Sequence, residues 1–248
     1  MQRIVLVTGA SRGIGAETAR VLAARGDHVV VNYREKRKRA EVIAAEIAAA
    51  GGSASVAGAD IADPDSARAL IDAVAGEFGR LDVLVLNASG GLERDAAPEY
   101  AMRLNRDAQT RLARHALEHL PPGGRLVFVT SHQAHFSATR PVPTGYEPIA
   151  ASKRAGEDAL REMIPEFDSR GIGFTVVSGD MIDGTIIVRL LERRDPEAVT
   201  ARREHGSLPT VEEFATAVAD ATLADTEPGH TVYVGGRDFA LPAAENSW

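Results

Sequence analysis

Short runs of β-branched and aliphatic residues alternate along the chain with longer stretches whose apolar positions recur every three or four residues. The runs at 4–8, 28–32, 53–57, 83–87, 125–130, 174–177 and 231–234 have the length and composition of buried strands. Helical stripes lie between them at 16–24, 42–49, 67–78, 104–117, 151–167 and 211–223. The third stripe carries its own start signal, with Asp63 placed as N-cap and Pro64 as the first helical residue. Strands that alternate with helices in this way pair in parallel through right-handed crossovers, so the pattern predicts an open, doubly wound α/β sheet. No repeat or Pro/Gly/Ser linker interrupts it, and the chain reads as one domain over 1–248. One stretch, 184–206, breaks the rhythm. Gly184 offers a hinge there, and Ile186, Ile187, Leu190 and Leu191 stand among many charges, the pattern of an amphipathic lid over a site.

Composition narrows the chemistry. The 248 residues are 44% hydrophobic and 25% charged, and 28 Lys plus Arg against 35 Asp plus Glu leave a net charge of −7. That balance disfavours a nonspecific grip on nucleic acid or anionic membranes, and neither is expected as a partner. No apolar run approaches a membrane span, and the short apolar start passes at once into Gly9 and Ser11, so a cytoplasmic location is expected. The absence of cysteine excludes disulfides, thiolate metal sites and thiol nucleophiles. Ser, Tyr, Lys, His and carboxylates remain. The basic run 34–39 opens a helix directly after a strand, where it serves either as a solvated face or as a local phosphate site.

The densest signal is Thr8-Gly9-Ala10-Ser11-Arg12-Gly13-Ile14-Gly15, between the first strand and the first helix. Glycines there permit a tight turn and close approach to a pyrophosphate, and the helix N-terminus offers unpaired N–H groups. Further along stand Asp60-Ile61, Asn87-Ala88-Ser89-Gly90, Asn105, Ser131, Ala151-Ser152-Lys153 and Ser178-Gly179-Asp180-Met181. On these residues the chain resembles the short-chain dehydrogenase/reductases over nearly its whole length. The resemblance implies a single Rossmann-type domain with a mainly parallel seven-stranded sheet, and a nicotinamide dinucleotide as cofactor. It assigns cofactor contacts to Gly9, Ser11, Arg12, Gly13, Ile14, Gly15, Asp60, Ile61, Asn87, Ala88, Ser89, Lys153, Gly179 and Met181. Within it Lys153 binds the nicotinamide ribose and Ser131 orients the substrate oxygen. A homodimer or homotetramer is the assembly it suggests.

The choice of dinucleotide follows from Asn32-Tyr33-Arg34 after the second strand. A NAD site would place a carboxylate on the adenosine ribose at this point, and none stands among these three. Arg34 and Arg12 present guanidinium forks suited to a 2'-phosphate, which favours NADP, unless Arg34 belongs only to the solvated basic helix.

One position breaks the family pattern. Four residues before Lys153, where the family has its tyrosine acid, stands Ile149, which can neither give nor take a proton. The nearest phenol is Tyr146. Pro148 disfavours helical geometry at Glu147, so Tyr146 is expected in a loop before the helix, without a fixed place on the substrate oxygen. His132 and His135, following Ser131, offer alternative acids or are solvated loop residues; the His-x-x-His spacing lacks a third ligand for a metal. No GxSxG elbow supports a hydrolase. The sequence therefore points to an atypical NADPH-dependent ketoreductase acting on a small-molecule ketone, with the proton coming from water, Tyr146 or the substrate. A hydroxyaryl or polyketide ketone would carry its own acid. The other reading is an NADP-binding regulator on a degenerate enzyme scaffold.

Overall fold

In a computed structural model of the chain, which describes residues 2–91, 97 and 99–236, the aliphatic runs form seven strands of one sheet. The remainder of the domain expected over 1–248 lies outside the described residues. The strands are β1 (Ile4–Val7), β2 (His28–Tyr33), β3 (Ser53–Gly58), β4 (Val83–Leu86), β5 (Arg125–Ser131), β6 (Gly173–Gly179) and β7 (His230–Val234). The helices are α1 (Gly13–Ala24), α2 (Arg37–Ala49), α3 (Pro64–Phe78), α4 (Tyr100–Met102), α5 (Gln109–Ala116), α6 (His132–His135), α7 (Glu147–Arg161), α8 (Ile164–Ser169), α9 (Ile186–Arg194), α10 (Pro196–Glu204) and α11 (Val211–Ala221). Strand order is β3-β2-β1-β4-β5-β6-β7, and all pairs are parallel. The winding reverses between β1 and β4. That reversal opens a crevice at the carboxyl ends of the strands, where open α/β sheets bind ligands.

Period-two alternation divides the core between the two faces of the sheet. Ile4, Leu6, Leu84, Leu86, Leu126 and Phe128 pack into one layer with Leu70 and Ile71 of α3, Leu112 of α5 and Phe167 of α8. Val5, Val7, Val83, Val85, Val127 and Val129 pack into the other with Ala19 and Leu22 of α1, Ile43 of α2 and Phe214 of α11. Each fully buried Leu or Phe contributes roughly 1.5–3 kcal/mol, so a shift of register by one residue would be costly in every central strand. Helix α3 starts as its sequence dictates. The Asp63 carboxylate accepts from the Ser66 N–H at 2.7 Å, a cap worth about 1 kcal/mol, and Gly79 ends the helix in the left-handed region at φ 71°.

Three elements differ from expectation. The helix expected over 151–167 begins earlier, at Glu147, and divides into α7 and α8, because Pro165 lacks the N–H that a continuous helix would need. The helix expected over 104–117 contains a π-helical stretch, Arg103–Ala108, before α5. There the Asn105 amide donates to Gly90 O at 3.0 Å and to Ser152 Oγ at 2.9 Å, tying the widened turn to the loop after β4. The segment 184–206 is a pair of helices, α9 and α10, hinged on Asp195, which caps α10 by accepting from Ala198 N at 3.1 Å. Among the described residues no helix is long and apolar enough to cross a membrane.

Candidate active site

The carboxyl ends of β1 and β4 are tied together before any ligand is considered. The Thr8 hydroxyl accepts from the N–H groups of Asn87 and Ala88, both at 3.0 Å, and the Asn87 amide donates to Thr8 O at 2.9 Å. Gly9 sits at φ 65° and Gly13 at φ 55°. A Cβ on Gly15 would lie 2.5 Å from Asn87 Nδ2 and 2.9 Å from Gly9 O, so this position accepts no side chain. Arg12, the N-cap of α1, makes no side-chain cap, and among the described residues no side-chain hydrogen bond reaches the first-turn N–H groups. Donors without partners over a glycine floor suit a pyrophosphate.

From this turn a cavity of about 760 Å³ runs to Ser131 and Lys153. Its wall includes every expected site residue except Gly179. Gly179 ends β6 against Phe214, whose ring leaves no room for a side chain there. Asn32 is on the wall, yet its amide braces the scaffold, accepting from Gly9 N at 3.2 Å and donating to Ala57 O at 3.1 Å. The Asp60 carboxylate accepts from Ala62 N at 2.9 Å, which shapes the turn after β3. At the outer end Arg12, Arg34, Lys36 and Arg39 share the wall. Arg34 donates to the Tyr100 hydroxyl, lies 5.8 Å from that ring's centre and pairs with Glu35 at 3.1 Å. Glu35 is therefore a carboxylate close to the adenosine end that the residues up to Arg34 did not reveal; β2 runs to Tyr33 and carries Glu35 to the cavity.

At the inner end Tyr146 stands just before the helix, as expected, but Glu147 is already helical and the phenol has a fixed place beside Ser131. Helix α7 begins at Glu147, and Pro148 is tolerated because N–H groups of the first turn have no helical partner to lose. Tyr146 is the N-cap residue, its carbonyl accepting from Ile149 N and Ala150 N at 3.0 and 2.9 Å. Its side chain is 4% exposed, and its hydroxyl stands 3.4 Å from Ser131 Oγ. Burial raises the phenol above its usual range, opposed by the bond to Ser131, so it remains a neutral donor. Ile149, 1% exposed, fills the adjacent wall; a Cβ on Gly91 would come within 2.7 Å of its Cδ1. Burial lowers the Lys153 ammonium to about 8, and no described carboxylate or hydroxyl pairs with it. Hydroxyl groups of a bound ribose would satisfy it.

The histidines are not solvated. His132 is fully buried, its Nδ1 2.8 Å from Ser178 Oγ and its Nε2 3.2 Å from Gly235 O, and burial lowers its pKa. His135 lies 2.8 Å from the Glu157 carboxylate and 3.0 Å from the Tyr233 hydroxyl. Burial pushes Glu157 up, but its bonds to His135 and Arg161 outweigh that and hold it below the usual carboxylate range. Both histidines brace α6 against β6, α7 and β7, and neither is on the cavity wall. The described residues hold no group of three or more potential metal ligands. Two contributors escaped the sequence reading. Gln133 is on the wall beside Ser131, and Asp180 is buried on it in an ion pair with Arg202 of α10. From α9, Ile186, Ile187, Val188, Leu190 and Leu191 line the same cavity.

A parallel sheet with uncapped amides at its switch point, and hydroxyl and ammonium groups at the far end of one cleft, defines a nucleotide-binding α/β protein of the oxidoreductase type. The chain belongs to the short-chain dehydrogenase family, whose model matches residues 3–195. It is 35% identical over 188 residues to the 1-cyclohexenylcarbonyl-CoA reductase of Streptomyces collinus, covering 73% of this chain and 65% of that protein. It is 41% identical over 138 residues to the versicolorin reductase stcU of Emericella nidulans, covering 53% and 52%. These matches span less than two thirds of each relative's length. Among solved structures, the angucycline C-6 ketoreductase LanV with bound NADP superposes with a TM-score of 0.76 at 27% identity, over 93% of both chains.

Proposed function

We propose that the chain is an NADPH-dependent ketoreductase acting on a hydroxyaryl or polyketide ketone. The observation that carries this reading is the Ser131–Tyr146 hydroxyl pair, 3.4 Å apart at the inner end of the cleft that begins at the glycine turn. The NADP-bound ketoreductase and the versicolorin reductase among its relatives support cofactor and substrate class. NADPH, when bound, supplies a hydride. The first-turn amides of α1 hold its pyrophosphate, Arg34 and Arg12 take the 2'-phosphate, and Lys153 takes ribose hydroxyls. Ser131 and Tyr146 donate to the ketone oxygen, stabilising the negative charge that grows on it. Tyr146 thus stands in for the phenol that Ile149 removes, approaching from the helix N-terminus instead of from one turn inside it. Its phenol keeps its proton more firmly than usual, so it works as a hydrogen-bond donor more than as a full acid, and a hydroxyl beside the ketone helps by delivering a proton internally. Helices α9 and α10 act as the lid, with the apolar face of α9 excluding water from the cleft.

The test is NADPH consumption with simple and hydroxyaryl ketones. Turnover is expected with hydroxyaryl ketones, and Ser131→Ala and Tyr146→Phe should each lower kcat by on the order of a hundredfold without weakening NADPH binding. Hydrogen exchange over 186–204 should slow when cofactor and ketone are both present. The buried Ile149 favours a second reading, a cofactor-binding regulator; tight NADPH binding with no turnover of any ketone would establish that one.

A further inference from the structure

Gln133 is the second residue of α6 and follows Ser131 onto the cavity wall. It is 5% exposed, and neither atom of its carboxamide bonds to any described residue. The Gln109 carbonyl is sealed without a partner, whereas no Gln133 side-chain atom is sealed in that way and the residue lines the cleft. The same wall carries the apolar side chains Ile149, Met181, Val188 and Leu191 along with the polar groups of Ser131, Tyr146, Lys153 and Asp180. A lone amide in such a setting is a demand on whatever enters. A ligand that dries the cleft without meeting the amide leaves a donor and an acceptor stranded, and sites of this kind reject analogues that lack the matching group.

We propose that Gln133 is a substrate-recognition residue that selects ketones carrying a hydroxyl close to the carbonyl. A carboxamide donates and accepts, and so does a hydroxyl; a carboxylate answers only the donor, and an alkyl or aryl edge answers neither. The assignment rests on the ketoreductase reading and names the group that makes a hydroxyaryl ketone preferable to a plain one. His132 and His135, on either side in sequence, do not compete for the role, since both rings are engaged away from the cleft.

The experiment compares 8-hydroxy-1-tetralone with 1-tetralone on wild type, Gln133→Leu and Gln133→Met, with NADPH binding checking that each variant is folded. Wild type should favour the hydroxyketone in kcat/KM by more than about tenfold, and both variants should cut that ratio by about tenfold through loss on the hydroxyketone, leaving only the preference that the internal proton gives. Methionine, unbranched and of similar length, carries the test should leucine disturb α6. In parallel, the Kd of 8-hydroxy-1-tetralone is measured on the NADP-loaded protein, where the variants should weaken binding by about tenfold. If wild type binds the hydroxyketone but reduces neither compound, the ketoreductase reading fails while the Kd comparison still tests Gln133. An equal ratio in wild type, a ratio and Kd unchanged in both variants, or no binding of the hydroxyketone to wild type overturns the proposal.

Discussion

The two ends of the cleft are built in opposite ways. The glycine-turn end is backbone: eight consecutive residues, a helix start without a side-chain cap, and a Thr8–Asn87 lock that holds two strand ends together. The chemical end is a meeting of side chains from separate elements, with Ser131 from the end of β5, Gln133 from α6, and Tyr146, Ile149 and Lys153 from α7 and its cap. Backbone shape tolerates many substitutions but not a Cβ in the wrong place. Side-chain chemistry can lose its central phenol without disturbing the fold, because Ile149 packs as well against Ala101 and Gly91 as any core residue. On the proposed reading, binding and chemistry should be separable in this molecule.

The largest expected effect tests that separation at the backbone end. Gly15→Val drives a branched side chain into the Asn87 amide and the Gly9 carbonyl, and NADPH affinity measured by fluorescence titration should fall by more than about a hundredfold, while Ser131→Ala leaves it nearly unchanged. Comparable losses in both variants would mean that the two ends are not independent. Next in size is Arg34→Asp. It removes a charge-assisted contact and places a second carboxylate beside Glu35, so the preference for NADPH over NADH should drop by roughly ten- to hundredfold. Retained selectivity would move the 2'-phosphate to Arg12, Lys36 or Arg39.

The smallest effect is a fraction of a proton. With the amine lowered to about 8 by burial, Lys153 is about half protonated at pH 8 in the free protein, and ribose oxygens accepting from it favour the charged form. NADPH binding at pH 8 should therefore take up about half a proton, detected by calorimetry in buffers of different ionisation enthalpy, and Lys153→Met should abolish the uptake. The sign for folding runs the other way. An amine held below its unfolded value near 10.4 costs stability while both states are protonated, below about pH 8, and the cost disappears as pH rises through that interval. Lys153→Met should accordingly raise Tm at pH 7 more than at pH 10.

Periodicity and local signals determined the sheet, the crossovers, the single domain, the α3 cap and the glycine turn, because each depends on residues close in sequence. Ser131 and Lys153 were legible for the same reason: each stands beside a strand end or in a short motif. Tyr146 was legible only in part: Pro148 pointed to its place just before the helix, but its seat beside Ser131, fifteen positions away along the chain, is met only through packing of α6 on α7. The burial of His132 and the bracing of His135 were equally hidden; polar loop residues become braces once β6, β7 and Glu157 close around them. Glu35, Gln133 and the Asp180–Arg202 pair gained their places only from tertiary structure, because a side chain's value at a cleft depends on which neighbours satisfy it and which leave it facing the ligand.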